Sequence, residues 1–197
     1  HLGEILLKIE FALSRARYSK WLNGVPATLN EEENSQFEIK DFRHPLLVWN
    51  DFHEEKNTVV PTSFDVPSNL KVVAITGPNT GGKTVALKSI GLAVLMAKVG
   101  ILLPCTGSPK LPWCKNVLAD IGDEQSLQQN LSTFSGHILR ISRILNAIAS
   151  FRGTTLVLLD EVGAGTDPSE GTALAMALLK TMADRARLTI ATTHFGE

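Results

Sequence analysis

The chain has 197 residues, 44% of them hydrophobic and 20% charged, with a formal net charge of −1. That length holds one good-sized α/β domain plus an entry segment, and the composition excludes extended disorder. Several function classes are excluded as well: no Lys/Arg block provides a broad grip on nucleic acid, Cys105 and Cys114 lack metal or redox spacing, and no apolar run reaches the roughly 18 residues of a membrane span.

The chain begins at His1 rather than Met and stops at "THFGE" just after a strand-like run, and no signal peptide is expected among these residues. It is expected to be a piece of something longer. Residues 1 to 22 place Leu2, Ile5, Leu6, Ile9, Leu13 and Ala16 at helical spacing with charged residues between them, which predicts one amphipathic helix. Gly24, Pro26 and the acidic triplet of "NGVPATLNEEENSQ" signal a solvated loop. "FEIKDF" alternates as a strand, and "RHPLLV" follows with a proline unsuited to a central ladder.

From residue 71 the pattern becomes α/β. "KVVAIT" reads as a buried parallel strand, "KTVALKSIGLAVLMAKVG" as a helix ending at Gly100, and "NVLADIG" as a further strand. "HILRISRILNAIAS" is an amphipathic helix with Ile138, Ile141, Ile144, Leu145 and Ile148 on one face. "TTLVLLD", "PSEGTALAMALLKTMADRA" and "RLTIATTH" complete a strand, helix, strand series. Such alternation implies a parallel sheet covered on both faces.

Gly77-Pro78-Asn79-Thr80-Gly81-Gly82-Lys83-Thr84 matches GxxxxGK[ST] between a strand and a helix, the context a P-loop requires. Glycines let successive N–H groups turn inward around phosphates at a helix N-terminus. Lys83 is expected to reach the β- and γ-phosphates and Thr84 to offer its hydroxyl to Mg²⁺, with Val85 beside them in the nucleotide-binding set. "TLVLLDE" delivers two adjacent carboxylates at a strand's C-terminal end, where ligands sit in open α/β sheets. Asp160 is assigned to the Mg²⁺ shell and Glu161 to the attacking water, as general base or orienting group. "VGAGTDPSEG" forms a tight loop capping the next helix, and Asp167 in it is a candidate for a functional contact. His194, closing "TIATTH", is placed to donate from a neutral imidazole to a phosphate oxygen or water. Of the other histidines His44, in "RHP", keeps a candidate place in the site, whereas His1, His53 and His137 do not.

P-loop, tandem Asp-Glu, Asp loop and terminal His in this order resemble the ABC-type ATPases, without the LSGGQ signature of the transporters. "TGPNTGGKT", "STFSGH", "LLDEVGAGTDP" and "ATTHFGE" together resemble the ATPase domain of the MutS family, in wording most similar to the MutS-two branch. The resemblance implies an α/β fold of the P-loop ABC type, mainly a parallel sheet flanked by helices. It makes residues 1–28 the end of a lever helix with its linker, and 29–197 the ATPase domain. It also implies ATP as substrate, Mg²⁺ as cofactor, and a homodimer in which Ser132, Thr133 and Ser135 serve the nucleotide bound by the partner. Asn79 joins that sandwich, Gln125 falls where a Q-loop couples the site to DNA-facing domains, and Val60, in "TVVP", replaces aromatic stacking on the adenine with apolar packing. The implied parent binds branched or junction DNA in repair and recombination suppression, or rescues collided ribosomes, in a bacterial cytoplasm or a plastid and without a membrane. It has a possible endonuclease domain outside these residues. Another ABC-type engine, a small-molecule kinase and a nucleotide-dependent interaction module without turnover stand as the alternatives.

Overall fold

The computed structural model describes residues 1–32, 35–54, 59–78, 82–122, 133–151 and 153–193. The chain forms two compact units, His1–Pro67 with Leu92–Trp113, and Ser68–Gly91 with Cys114–Glu197.

In the first unit, α1 (Leu2–Trp21) is the helix expected from the sequence. Ser19 Oγ near its end accepts from the Leu102 N–H at 2.9 Å, and Arg15 donates to the Val99 carbonyl at 2.8 Å. Toward its start, Leu2, Ile5, Leu6 and Ile9 are exposed. β1 (Thr28–Asn30), β2 (Phe37–Phe42), β3 (Thr62–Val66) and β5 (Thr106–Pro112) form a mixed sheet in the order β1-β5-β2-β3. β2 turns Phe37 and Ile39 into the core. Strict alternation would then bury Asp41; instead the register shifts between Ile39 and Phe42, with Asp41 at φ 54°, and Phe42 takes the buried place.

Three elements of this unit differ from the sequence-based expectation, the first being β1, a strand inside the stretch read as a solvated loop. "RHPLLV" opens α2 (Pro45–Glu54), because proline's fixed φ and missing N–H suit the first helical turn. His44 Nδ1 accepts from the Leu46 N–H there at 3.3 Å. β5, "TGSPKLP", is an interior strand that its glycine and two prolines concealed. It runs antiparallel to β2 with a register shift and parallel to β1, and Lys110 pairs with Glu38 across the ladder at 3.1 Å.

The second unit is built on β4 (Val72–Thr76), β6 (Asn116–Asp120), β7 (Thr155–Leu159) and β8 (Leu188–Thr193), all parallel, in the order β4-β8-β7-β6. The expected mixed α/β architecture with a parallel sheet and flanking helices is therefore present. α4 (Thr133–Ser150) starts a turn earlier than the sequence suggested, and α5 (Pro168–Arg185) lies between β7 and β8. Ile141, Ile144 and Ile148 of α4 with Leu178 and Met182 of α5 form one core with Val157 and Leu159 of β7. Leu158, pointing the other way, meets α3 (Lys83–Lys98) at Gly91, where an added Cβ would lie 2.6 Å from Leu158 Cδ1. Both faces of β7 are thus covered, and every residue of it is buried. β4, expected to be buried, is instead the edge strand, and Ala74 and Thr76, which share one face of it, are exposed.

Candidate functional site

Parallel strands end on one side of their sheet, and the register here aligns those ends closely. Thr76 of β4 lies opposite Thr193 of β8, Ala191 of β8 opposite Leu159 of β7, and Leu159 opposite Asp120 of β6. The next residue after β4 is Gly77, the next after β7 is Asp160, and the carboxylate of Asp120 closes β6. Chain order thus gathers the glycine loop and the acidic residues at the carboxyl edge, the usual ligand position in such sheets.

At the loop, Gly77 has φ 142° and Gly82 φ 75°, both outside the range comfortable for a side chain. Pro78 follows Gly77 and is exposed. Lys83, the first residue of α3, is buried, and its ammonium donates to the Gly77 carbonyl, closing the loop on itself. The Gly82 carbonyl accepts from the Ala86 N–H at 2.9 Å, which fuses the loop to the helix. Thr84 is half-buried in the first turn and Val85 is exposed beside it.

At the end of β7, Asp160 is buried and its Oδ1 accepts from the Thr192 hydroxyl. Its N–H donates to the Asp120 carbonyl at 2.8 Å. Glu161 adopts φ 51°, a left-handed backbone that a non-glycine residue adopts only at a cost. Its N–H donates to Thr192 Oγ1 at 2.8 Å, and the next N–H, of Val162, donates to the Thr192 carbonyl at 3.0 Å. Gly163 and Gly165, both at φ 86°, then turn the chain into α5. Asp167 is the N-cap of that helix, accepting at Oδ1 from the Ser169 N–H at 2.9 Å and the Ser169 hydroxyl at 2.6 Å. The Ser169 hydroxyl and then its N–H hold the Asp167 carboxyl below the usual carboxylate range.

Sequence alone gives His137 no place in the site, whereas in the structure it lies in the same cleft as Asp160 and Glu161. Asp120 is 2% exposed; its Oδ2 pairs with His137 Nδ1 at 2.7 Å and its Oδ1 with Arg140 Nε. One buried carboxylate thereby ties the end of β6 to the second turn of α4. Asp120, His137, Asp160 and Glu161 line one small cleft. No motif announces that pairing, since it joins residues 17 positions apart across a strand and a helix. A wider groove of about 770 Å³, lined by Arg15, Ser19 and Lys20 among others, lies in the first unit and contains none of these groups.

The remaining candidates are dispersed. The Thr133 backbone opens α4 and Ser135 is exposed in its first turn. Val60 is 80% exposed just before β3, and His44 caps α2, both in the first unit. Asn79, Thr80, Gly81, Gln125, Ser132 and His194 lie outside the described residues.

Among the described residues no group of three or more His, Cys, Asp or Glu side chains forms a metal cage. The oxygen donors offered here, a threonine hydroxyl and an aspartate carboxylate, fit Mg²⁺, a hard ion commonly held by one or two protein oxygens together with substrate phosphates and water.

A model of the MutS domain V family matches residues 73–197. An Endonuclease MutS2 of Synechocystis sp. is 51% identical over 213 residues, covering 100% of this chain and 26% of the relative. Proteins of the same name from Finegoldia magna and Acetivibrio thermocellus are 44% and 45% identical, each over 98% of this chain and 23% of the relative. The chain therefore belongs to the MutS family, through its domain V, and within it to the MutS2 branch. It spans about a quarter of the length of the curated relatives it matches. Among the described residues no helix is long and apolar enough to cross a membrane.

Proposed function

We propose that the chain is the Mg²⁺-dependent ATP-binding and ATP-hydrolysing part of a MutS2-like protein, with the P-loop ABC type of fold. The observation that carries this reading is the parallel register, which brings Gly77, Asp160 and Glu161 to one carboxyl edge with Lys83 folded against the loop. On nucleotide binding Lys83 exchanges the Gly77 carbonyl for β- and γ-phosphate oxygens, while N–H groups between Gly77 and Thr84 wrap the phosphates. Thr84 and Asp160 would hold Mg²⁺, which when bound would neutralise phosphate charge. Glu161 orients the attacking water and accepts its proton, and His194 donates to the γ-phosphate. Asp167 supports the site from its loop.

In this reading ATP closes two subunits on each other, with Ser132, Thr133 and Ser135 of one completing the site of the other and Asn79 joining them. Hydrolysis reopens the pair. Residues 1–28, as the end of a lever, and Gln125 carry that motion to a clamp on branched DNA, in recombination suppression and repair. Ribosome-collision rescue and an endonuclease activity of the parent protein, in a bacterial cytoplasm or a plastid, extend the same proposal.

Phosphate release tests it. Turnover should require Mg²⁺, Lys83→Ala should lose nucleotide binding, and Glu161→Gln should bind fluorescent ATP normally yet hydrolyse it on the order of 10²- to 10⁴-fold more slowly. Hydrolysis by Glu161→Gln at the wild-type rate would refute the assignment.

A further inference from the structure

We propose that Thr192 is a positioning residue for the acidic pair, one hydroxyl that sets both the carboxylate of Asp160 and the backbone of Glu161. The inference rests on the roles given to those two residues above, and its geometry is independent of them. The β7–β8 ladder ends at Leu159 opposite Ala191, so regular pairing with β8 no longer fixes residues 160 and 161, and toward β6 the Asp160 N–H is held by the Asp120 carbonyl. Thr192, 0% exposed, takes over there: its hydroxyl proton goes to Asp160 Oδ1, and its oxygen accepts the Glu161 N–H at 2.8 Å. A hydroxyl has one proton to give and lone pairs to accept with, so it serves both partners at once.

The arrangement constrains both acidic residues. With Oδ1 engaged by Thr192, rotation of the Asp160 carboxylate is restrained, and Oδ2 is left for the Mg²⁺ it would hold. With its N–H drawn toward β8, Glu161 is held at φ 51°, which turns its side chain out of the strand's alternation. Valine at this position keeps the shape and loses both hydrogen bonds, whereas serine keeps both bonds and loses a methyl group.

The test compares Thr192→Val and Thr192→Ser with the wild type, using fluorescent ADP binding titrated with Mg²⁺ alongside steady-state hydrolysis. For Thr192→Val we expect affinity in EDTA within about twofold of wild type. The Mg²⁺ concentration for half-maximal tightening should rise about tenfold or more, the scale of one hydrogen bond to a charged group. kcat should fall by a similar factor with KM for ATP within about threefold, and Thr192→Ser should restore each quantity. Unchanged Mg²⁺ dependence in Thr192→Val, or failure of serine to restore it, overturns the proposal. Thr192→Ala serves the same comparison if the valine variant does not fold. Absence of hydrolysis by the wild type counts against the ATPase reading alone, because the Mg²⁺ titration tests Thr192 without turnover; a wild-type affinity indifferent to Mg²⁺ overturns both.

Discussion

Glu161 combines a backbone that disfavours any side chain with the place proposed for the general base, so stability and activity should separate there. At φ 51° a residue with a Cβ stores about 1–2 kcal/mol. Glu161→Gly removes that strain and adds about 0.5–1 kcal/mol of unfolded-chain entropy against folding. The N–H to Thr192 Oγ1 is a backbone group and survives the change. The net expectation is a gain of about 0.5–1 kcal/mol, or about 1–4 °C in Tm at this chain length. Glu161→Ala keeps the Cβ and with it the strain, so it should lose turnover without gaining stability. Thermal unfolding followed by circular dichroism, with phosphate release on the same samples, reads both effects. If Glu161→Gly is less stable than Glu161→Ala, the reasoning fails, because strain then is not what the glutamate adds to the fold.

Packing and charge elsewhere in the molecule give three further expectations. Asp120→Ala removes the buried carboxylate that holds His137 and the partly exposed Arg140, and should lower stability by about 1–3 kcal/mol in urea unfolding, with Asp120→Asn milder; an unchanged midpoint contradicts the pairing. Gly91→Ala should cost about 1–3 kcal/mol by overpacking against Leu158, and combining it with Leu158→Val should cost less than the sum of the two single changes. The Cys105 thiol is pushed up to about 11, first by burial and then by Asp41. The unfolded chain therefore ionises first, so the associated stability is present below the ordinary value of 9.0 and is lost as pH rises toward about 11. Native protein should resist thiol reagents at pH 8, and rapid labelling there would refute this.

The parallel half of the fold was legible because its strands are apolar runs and its helices open with strong local signals, such as Asp167 before Pro168. β5 was illegible because Pro109 and Pro112 argue against a strand, and only the shifted pairing with β2 and the ladder to β1 accommodate them. α2 was hidden by a proline that reads as a break and acts as a helix start. The edge position of β4 depends on strand order, which local hydrophobicity does not encode. Within the candidate site, Lys83, Asp160 and Glu161 could be named from spacing alone. Asp120, His137 and Thr192 could not: each is an ordinary polar residue at an element's end until the sheet brings it to its partner.

The central claim, a composite ATPase site shared by two subunits, is tested most directly by mixing equal amounts of Lys83→Ala and Ser132→Arg. Each variant alone should be inactive. Random pairing makes half the dimers mixed, each with one intact site, so about a quarter of the wild-type hydrolysis rate should return. A mixture that stays inactive beside an active wild type would contradict the claim, since the serine-rich segment would then act within its own subunit.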